Sequence, residues 1–186
     1  MPRIRFATPS DFPTIEHIAR QTWPVTFGEI LSADQIEYML GWMYSQASLT
    51  EQVDQKGHVF LIAQTDTGEP VGYVSYELNY GQSDPSGGVS PNELPSVPAP
   101  PVITKIHKLY LLPQTQGQGL GRLLIEEVGR RAQAAGNTAL ALNVNRQNRA
   151  VQFYERLGFS IAKTEDIDIG NGFLMQDYVM LKSLSA

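Results

Sequence analysis

Three glycines at alternate positions, Gly117, Gly119 and Gly121, separate a strand-like run that stops at Pro113 from a helix-like run that begins at Leu120. Glycines so placed let a backbone aim several N–H groups at one point and let a ligand come close. A helix N-terminus at the same place adds about half a positive charge. The loop Gln116, Gly117, Gln118, Gly119, Leu120, Gly121, Arg122 is therefore suited to a pyrophosphate. Its spacing is not the G-x-G-x-x-G of a dinucleotide fold, and the Gly-Lys-Ser/Thr of a P-loop is absent.

Other reactive side chains are few. His107 lies four residues before Leu111 in the same apolar run, and simple alternation puts both on one strand face. An imidazole with an ordinary pKa of about 6.5 suits a general base. Glu77 and Tyr80, at the end of the preceding strand, are rival proton acceptors acting through water. The chain has no cysteine, which removes thiolate nucleophiles, disulfides and thiolate metal sites. Its three histidines, His17, His58 and His107, show no ligand spacing, so no metal is expected. No G-x-S-x-G elbow points to a serine hydrolase.

The elements that must position these groups follow from periodicity. A strand over Arg3–Phe6 leads to a helix that Thr8 caps, with Phe12, Ile15, Ile18 and Ala19 on its buried face. Helices are expected from about Ala33 to Tyr44 and from about Ser48 to Gln55. Val59–Gln64 and Val71–Leu78 flank an Asp-Thr-Gly-Glu turn and form a hairpin. Residues 81–101 carry six of the twelve prolines and almost no apolar side chains; they read as a flexible loop inside a single domain spanning 1–186. The remaining expectations are strands over Ile103–Leu112, Ala139–Val144, Phe159–Ile169 and Tyr178–Leu184. Helices follow the glycine loop and span Asn148–Leu157. This order gives an α/β (α+β) chain, with a mixed sheet covered by helices.

Composition excludes several classes. A net charge of −5 leaves no basic excess for nucleic acid. No stretch approaches the ~20 apolar residues of a membrane span, and Met1–Phe12 lacks an apolar leader segment. A cytoplasmic, soluble protein with neither membrane nor nucleic-acid partners is the expectation.

Gln116-Gly117-Gln118-Gly119-Leu120-Gly121, following Leu109-Tyr110-Leu111-Leu112-Pro113, resembles motif A of the GNAT superfamily, Q/R-x-x-G-x-G/A. The run from Asn143 to Phe159 resembles its motif B, N-x-x-A-x-x-x-Y-x-x-x-G-F. The resemblance implies the GNAT fold, a mostly antiparallel seven-stranded sheet flanked by helices, and an acetyl-CoA-dependent N-acetyltransferase. It implies that Leu109, Tyr110 and Leu111 border the pantetheine arm, and that the Leu111 N–H faces the thioester carbonyl. It also implies that Asn148 contacts the cofactor and that Tyr154 stands near its sulfur. There Tyr154 is the general acid, since a phenol with a pKa of about 10 keeps its proton at neutral pH. The base position, often a glutamate in relatives, falls to His107.

Direct attack by a small amine in a ternary complex is implied, with acetyl-CoA as co-substrate and no metal. The segments 21–27 and 172–180 resemble the bacterial spermidine/spermine acetyltransferase branch, although an acidic residue directly after the tail glycine is missing. A polyamine acceptor is one expectation, with Glu16, Glu29, Glu37 and Asp177 as a possible acidic entrance. A peptide, ribosomal-protein or aminoglycoside acceptor and a non-catalytic acetyl-CoA sensor are the alternatives. The family's exposed final strands often pair, which makes a homodimer possible.

Overall fold

A computed structural model describes residues 2–82 and 100–184. Most of the proline-rich segment expected to be a flexible loop lies outside the described residues. Among the described residues, seven strands form one sheet in the order β1-β2-β3-β4-β5-β7-β6. They are β1 (Arg3–Phe6), β2 (Val59–Gln64), β3 (Pro70–Glu77), β4 (Ile103–Leu111), β5 (Ala139–Asn145), β6 (Ser160–Gly170) and β7 (Phe173–Ser183). Only β4 and β5 run parallel, as their helical crossover requires. The expected mostly antiparallel, seven-stranded α/β architecture is borne out.

The helices are α1 (Phe12–Phe27), α2 (Ala33–Tyr44), α3 (Gln46–Asp54), α4 (Leu120–Ala134) and α5 (Ala150–Arg156). Side chains alternate across a strand, and β3 shows which helices cover which face. Tyr73 hydroxyl donates to the Tyr44 hydroxyl of α2 at 2.7 Å, whereas Tyr76 is influenced by Arg131 of α4. Helices α1–α3 thus cover one face and α4 the other. Among the described residues, no helix is long and apolar enough to cross a membrane.

Several boundaries moved for identifiable reasons. A single 3-10 turn, Pro9–Asp11, precedes α1; the Asp11 carboxylate accepts from Thr8 N–H and is gripped by Arg5 at 2.7 Å. Ser45 caps α3 through Ser48 N–H and starts it earlier than expected. The largest difference is β7, which begins at Phe173 rather than Tyr178. Asn171 and Gly172 have φ of 54° and 76°, the left-handed pair of a two-residue type I′ hairpin. The ladder reaches this turn at Gly170↔Phe173.

At the β3–β4 contact, Gly72 admits Leu111. A Cβ there would stand 2.3 Å from Leu111 Cδ2 and 2.8 Å from the Tyr110 carbonyl oxygen. Gly72→Ala is expected to cost about 1–3 kcal/mol through overpacking and to lower the melting temperature by several degrees, read by thermal denaturation. An unchanged melt would mean that β4 shifts freely at Leu111.

Candidate active site

The parallel β4–β5 ladder runs from Ile103↔Ala139 only to Ile106↔Leu142. Beyond it, β4 stays paired with β3 while β5 turns to β7. Among the described residues, the backbone of β4 then has one edge without a strand. Leu112 N–H donates to the Val71 carbonyl at 2.8 Å. By the alternation of an antiparallel ladder, Tyr110 and Lys108 also point their backbone groups at β3. Leu109 and Leu111 therefore turn theirs toward the open edge. A cleft of about 690 Å³ lies along that edge, lined by Leu109, Leu111, the glycine loop, Asn148 and Tyr154. Tyr110 also lines it, but its backbone pairs with Tyr73 and its ring packs 5.7 Å from Trp23.

The glycine loop has the conformation that its residue types require. Gly117 and Gly119 adopt φ of 78° and 80°, and a Cβ at either would meet open space. Gly119 caps α4, with Leu120 buried beneath. From Gly117 to Arg122, no backbone N–H finds an acceptor among the described residues; the first hydrogen bond belongs to Leu123. These donors at a helix N-terminus suit an anion. Gln116 folds back onto the Leu111 carbonyl at 3.2 Å and Gln118 onto Gln114. The Arg122 guanidinium pairs with Glu126 at 2.7 Å. Gly121 is small for packing: a Cβ would lie 3.1 Å from the Phe153 ring.

Helix α5 brings in the second motif. Asn148 Oδ1 accepts from Ala150 N–H at 2.9 Å and so shapes the entry to that helix. Tyr154 is 7% exposed and packs edge-on to Phe153 and Phe159 while lining the cleft. Burial pushes its phenol above the ordinary value, which keeps the proton on.

The placement of His107 differs from simple alternation. The register passes from Ser75↔Lys108 to Tyr76↔Ile106, leaving His107 as the extra residue of a β-bulge. The bulge turns His107 toward His58 and Glu77, beside Lys108, instead of placing it on the Leu111 face, and His107 still lines the cleft. Lys108 donates to Gln52 of α3 at 2.5 Å. His107 stacks on His58, centroids 3.9 Å apart, and contacts the Glu77 carboxylate through Nε2 at 2.9 Å. Tyr80 meets its ring edge-on at 5.8 Å. Burial, with His58 and Lys108 nearby, holds His107 well below an ordinary histidine. His58 falls to about 4 for the same first reason, and burial raises Glu77. The expectation of scattered histidines thus holds for His17, exposed beside Gln21, and fails for the other two. The missed partner, His58, was within reach of the sequence: the hairpin pair Val59↔Tyr76, extended by one step, sets His58 opposite Glu77.

The four acids expected to form one entrance are dispersed. Glu16 and Glu37 are both engaged by Arg20, and Glu29 lines the cleft. Asp177 is buried, its pKa raised by that burial, with Oδ1 lacking a partner among the described residues. Lys105 and Asn143, bonded to each other, stand near it.

Residues 29–182 match the model of the acetyltransferase (GNAT) domain. A spermidine N(1)-acetyltransferase of Thermoplasma acidophilum is 25% identical over 93% of this chain and 94% of its own length. An uncharacterised N-acetyltransferase of Lactobacillus delbrueckii subsp. lactis is 25% identical over 94% and 92%. Among solved structures, the PaiA N-acetyltransferase of Thermoplasma acidophilum in complex with coenzyme A superimposes with a TM-score of 0.73. It is 24% identical, with 98% of this chain and 99% of that one covered. With both glycine-loop and tyrosine motifs standing around one cleft, the chain belongs to the GNAT acetyltransferase family and is an N-acetyltransferase.

Proposed function

We propose that this protein moves the acetyl group of acetyl-CoA to a primary amine by direct attack within a ternary complex, and that the acceptor is a polyamine. The observation that carries the reaction is the cleft itself, where a strand edge without a partner meets a loop of free N–H donors and a buried phenol. The donors from Gly117 to Arg122 hold the pyrophosphate, and the Leu109 and Leu111 edge pairs with the pantetheine amides. The Leu111 N–H then stands toward the thioester oxygen, where one donor is worth about 3 kcal/mol to the developing oxyanion.

Chemistry on this chain's side needs two proton movements. The amine nitrogen bonds to the acetyl carbon and loses a proton to His107, whose imidazolium is disfavoured by burial, an effect that a carboxylate must offset. Glu77, 2.9 Å away, stabilises the imidazolium that forms. As the carbon–sulfur bond breaks, Tyr154 gives its proton to the departing thiolate. The polyamine reading rests on likeness along the whole chain to a spermidine N(1)-acetyltransferase. The carboxylate of Glu29 in the cleft supports it.

The test is free-CoA release with purified protein and acetyl-CoA against spermidine, spermine, simple amines, aminoglycosides and N-terminal peptides. Release that depends on the polyamines supports the acceptor; release with another class replaces it, and binding without release makes the protein a sensor. Tyr154→Phe is expected to lower kcat on the order of 10²-fold while leaving acetyl-CoA affinity near its starting value. Parallel loss of affinity would assign Tyr154 to packing. Gly119→Glu is expected to abolish acetyl-CoA binding in calorimetry, through charge against the pyrophosphate and a side chain forced to positive φ. Normal binding would remove the loop from the cofactor site.

A further inference from the structure

We propose that His58, Glu77 and His107 form a binding site for a transition-metal dication of the Zn²⁺ type, with His107 on the wall of the cleft. The ligand atoms of the three side chains all lie within 4.8 Å of one another. Glu77 Oε2 is 2.9 Å from His107 Nε2 and 3.8 Å from His58 Nε2. Those separations bracket the edge of about 3.4 Å that a tetrahedron of bonds near 2.1 Å requires. The two imidazoles are stacked at an interplanar angle of 12°, so binding requires their side-chain torsions to rotate until both lone pairs face one ion.

Three further features fit a metal rather than packing alone. His58 is 8% exposed, its Nδ1 has no partner among the described residues, and its Nε2 stands beyond hydrogen-bond range of Glu77. A buried imidazole so poorly satisfied carries a cost that ligation removes. Both rings are held neutral, the form that donates to a metal. Glu77 and His107 retain 26% and 19% of their side-chain exposure, which leaves a way in and a fourth position for water or an amine. Lys108 and Lys56 oppose a second cation here. Two nitrogen donors select Zn²⁺, Co²⁺, Ni²⁺ or Cu²⁺ over Mg²⁺ and Ca²⁺, whose preference is for oxygen.

One consequence rests on the reading of His107 as the proton acceptor. A metal held there takes up the imidazole lone pair and stops acetyl transfer, and a chelator restores it.

The experiment uses chelator-treated full-length protein titrated with Co²⁺, followed by its visible absorption, and with Zn²⁺ by calorimetry. One equivalent of Co²⁺ with the intense bands of four-coordination is expected, displaced by Zn²⁺ and not by excess Mg²⁺. His58→Ala and Glu77→Gln should each weaken binding by ~10-fold or more, while His17→Ala leaves it unchanged; circular dichroism and acetyl-CoA binding verify that each variant is folded. Weak six-coordinate bands, equal displacement by Mg²⁺, or affinity unchanged in both folded variants would overturn the site. If the metal binds as expected and turnover continues undiminished, the metal site stands and the role of His107 as base fails.

Discussion

Four ladder pairs between β4 and β5, ending at Ile106↔Leu142, set the arrangement of almost everything described above. A parallel pair of nine- and seven-residue strands has room for a longer ladder, yet this one stops early. Both strands stay engaged on their other sides, β4 with β3 as far as Leu111 and β5 with β7 along its whole length. What is left, among the described residues, is a strand edge whose N–H and C=O groups have no strand beside them, a condition that proteins usually avoid or cover. The groups standing across the gap keep it open. Gly121 brings α4 against Phe153 and Leu111, and α5 carries Tyr154 into the same space.

The walls of the gap are stiffened by aromatic packing. Trp23 and Phe27 from α1, Tyr44 from α2, Tyr73 from β3 and Tyr110 from β4 form one contacting set, with centroid separations from 4.7 to 6.4 Å. Pairs in this range add about 0.5–1.5 kcal/mol each beyond the area they bury. The cluster anchors β4 on the side away from β5. The hairpin β6–β7 is tied separately to α2, through Tyr38 to the Ile169 carbonyl and Gln35 to the Leu174 carbonyl. Each half of the sheet thus has its own fastening to the helices.

Much of this was legible before any coordinates. The phosphate-binding loop was plain because glycines at alternate positions have few other uses between a strand and a helix, and their positive φ agrees. The seven strands followed from alternation. What failed was arithmetic across irregularities. A bulge adds one residue to a strand without any signature in composition, so counting by two carried His107 to the wrong face. His58 escaped notice because its relation to His107 passes through two strand pairings, and neither residue is near the other in sequence. By contrast, the early start of β7 was announced by Asn171-Gly172, a strong local hairpin signal that the apolar pattern alone did not use. The acidic residues looked alike in the sequence; only their partners, Arg20 for two of them and burial for Asp177, separate them.

The short seam between the two halves also has a mechanical meaning. Strands β1–β4 form one antiparallel leaf and β5–β7 another, each with its own uninterrupted chain of ladders. Four ladder pairs are the strand-to-strand pairing that joins the two leaves, while α2 fastens both of them through Tyr44, Tyr38 and Gln35. A guest lying along the β4 edge would act as an additional strand, substituting its own amides for the ladder that β5 does not supply, and would turn two leaves into one continuous sheet.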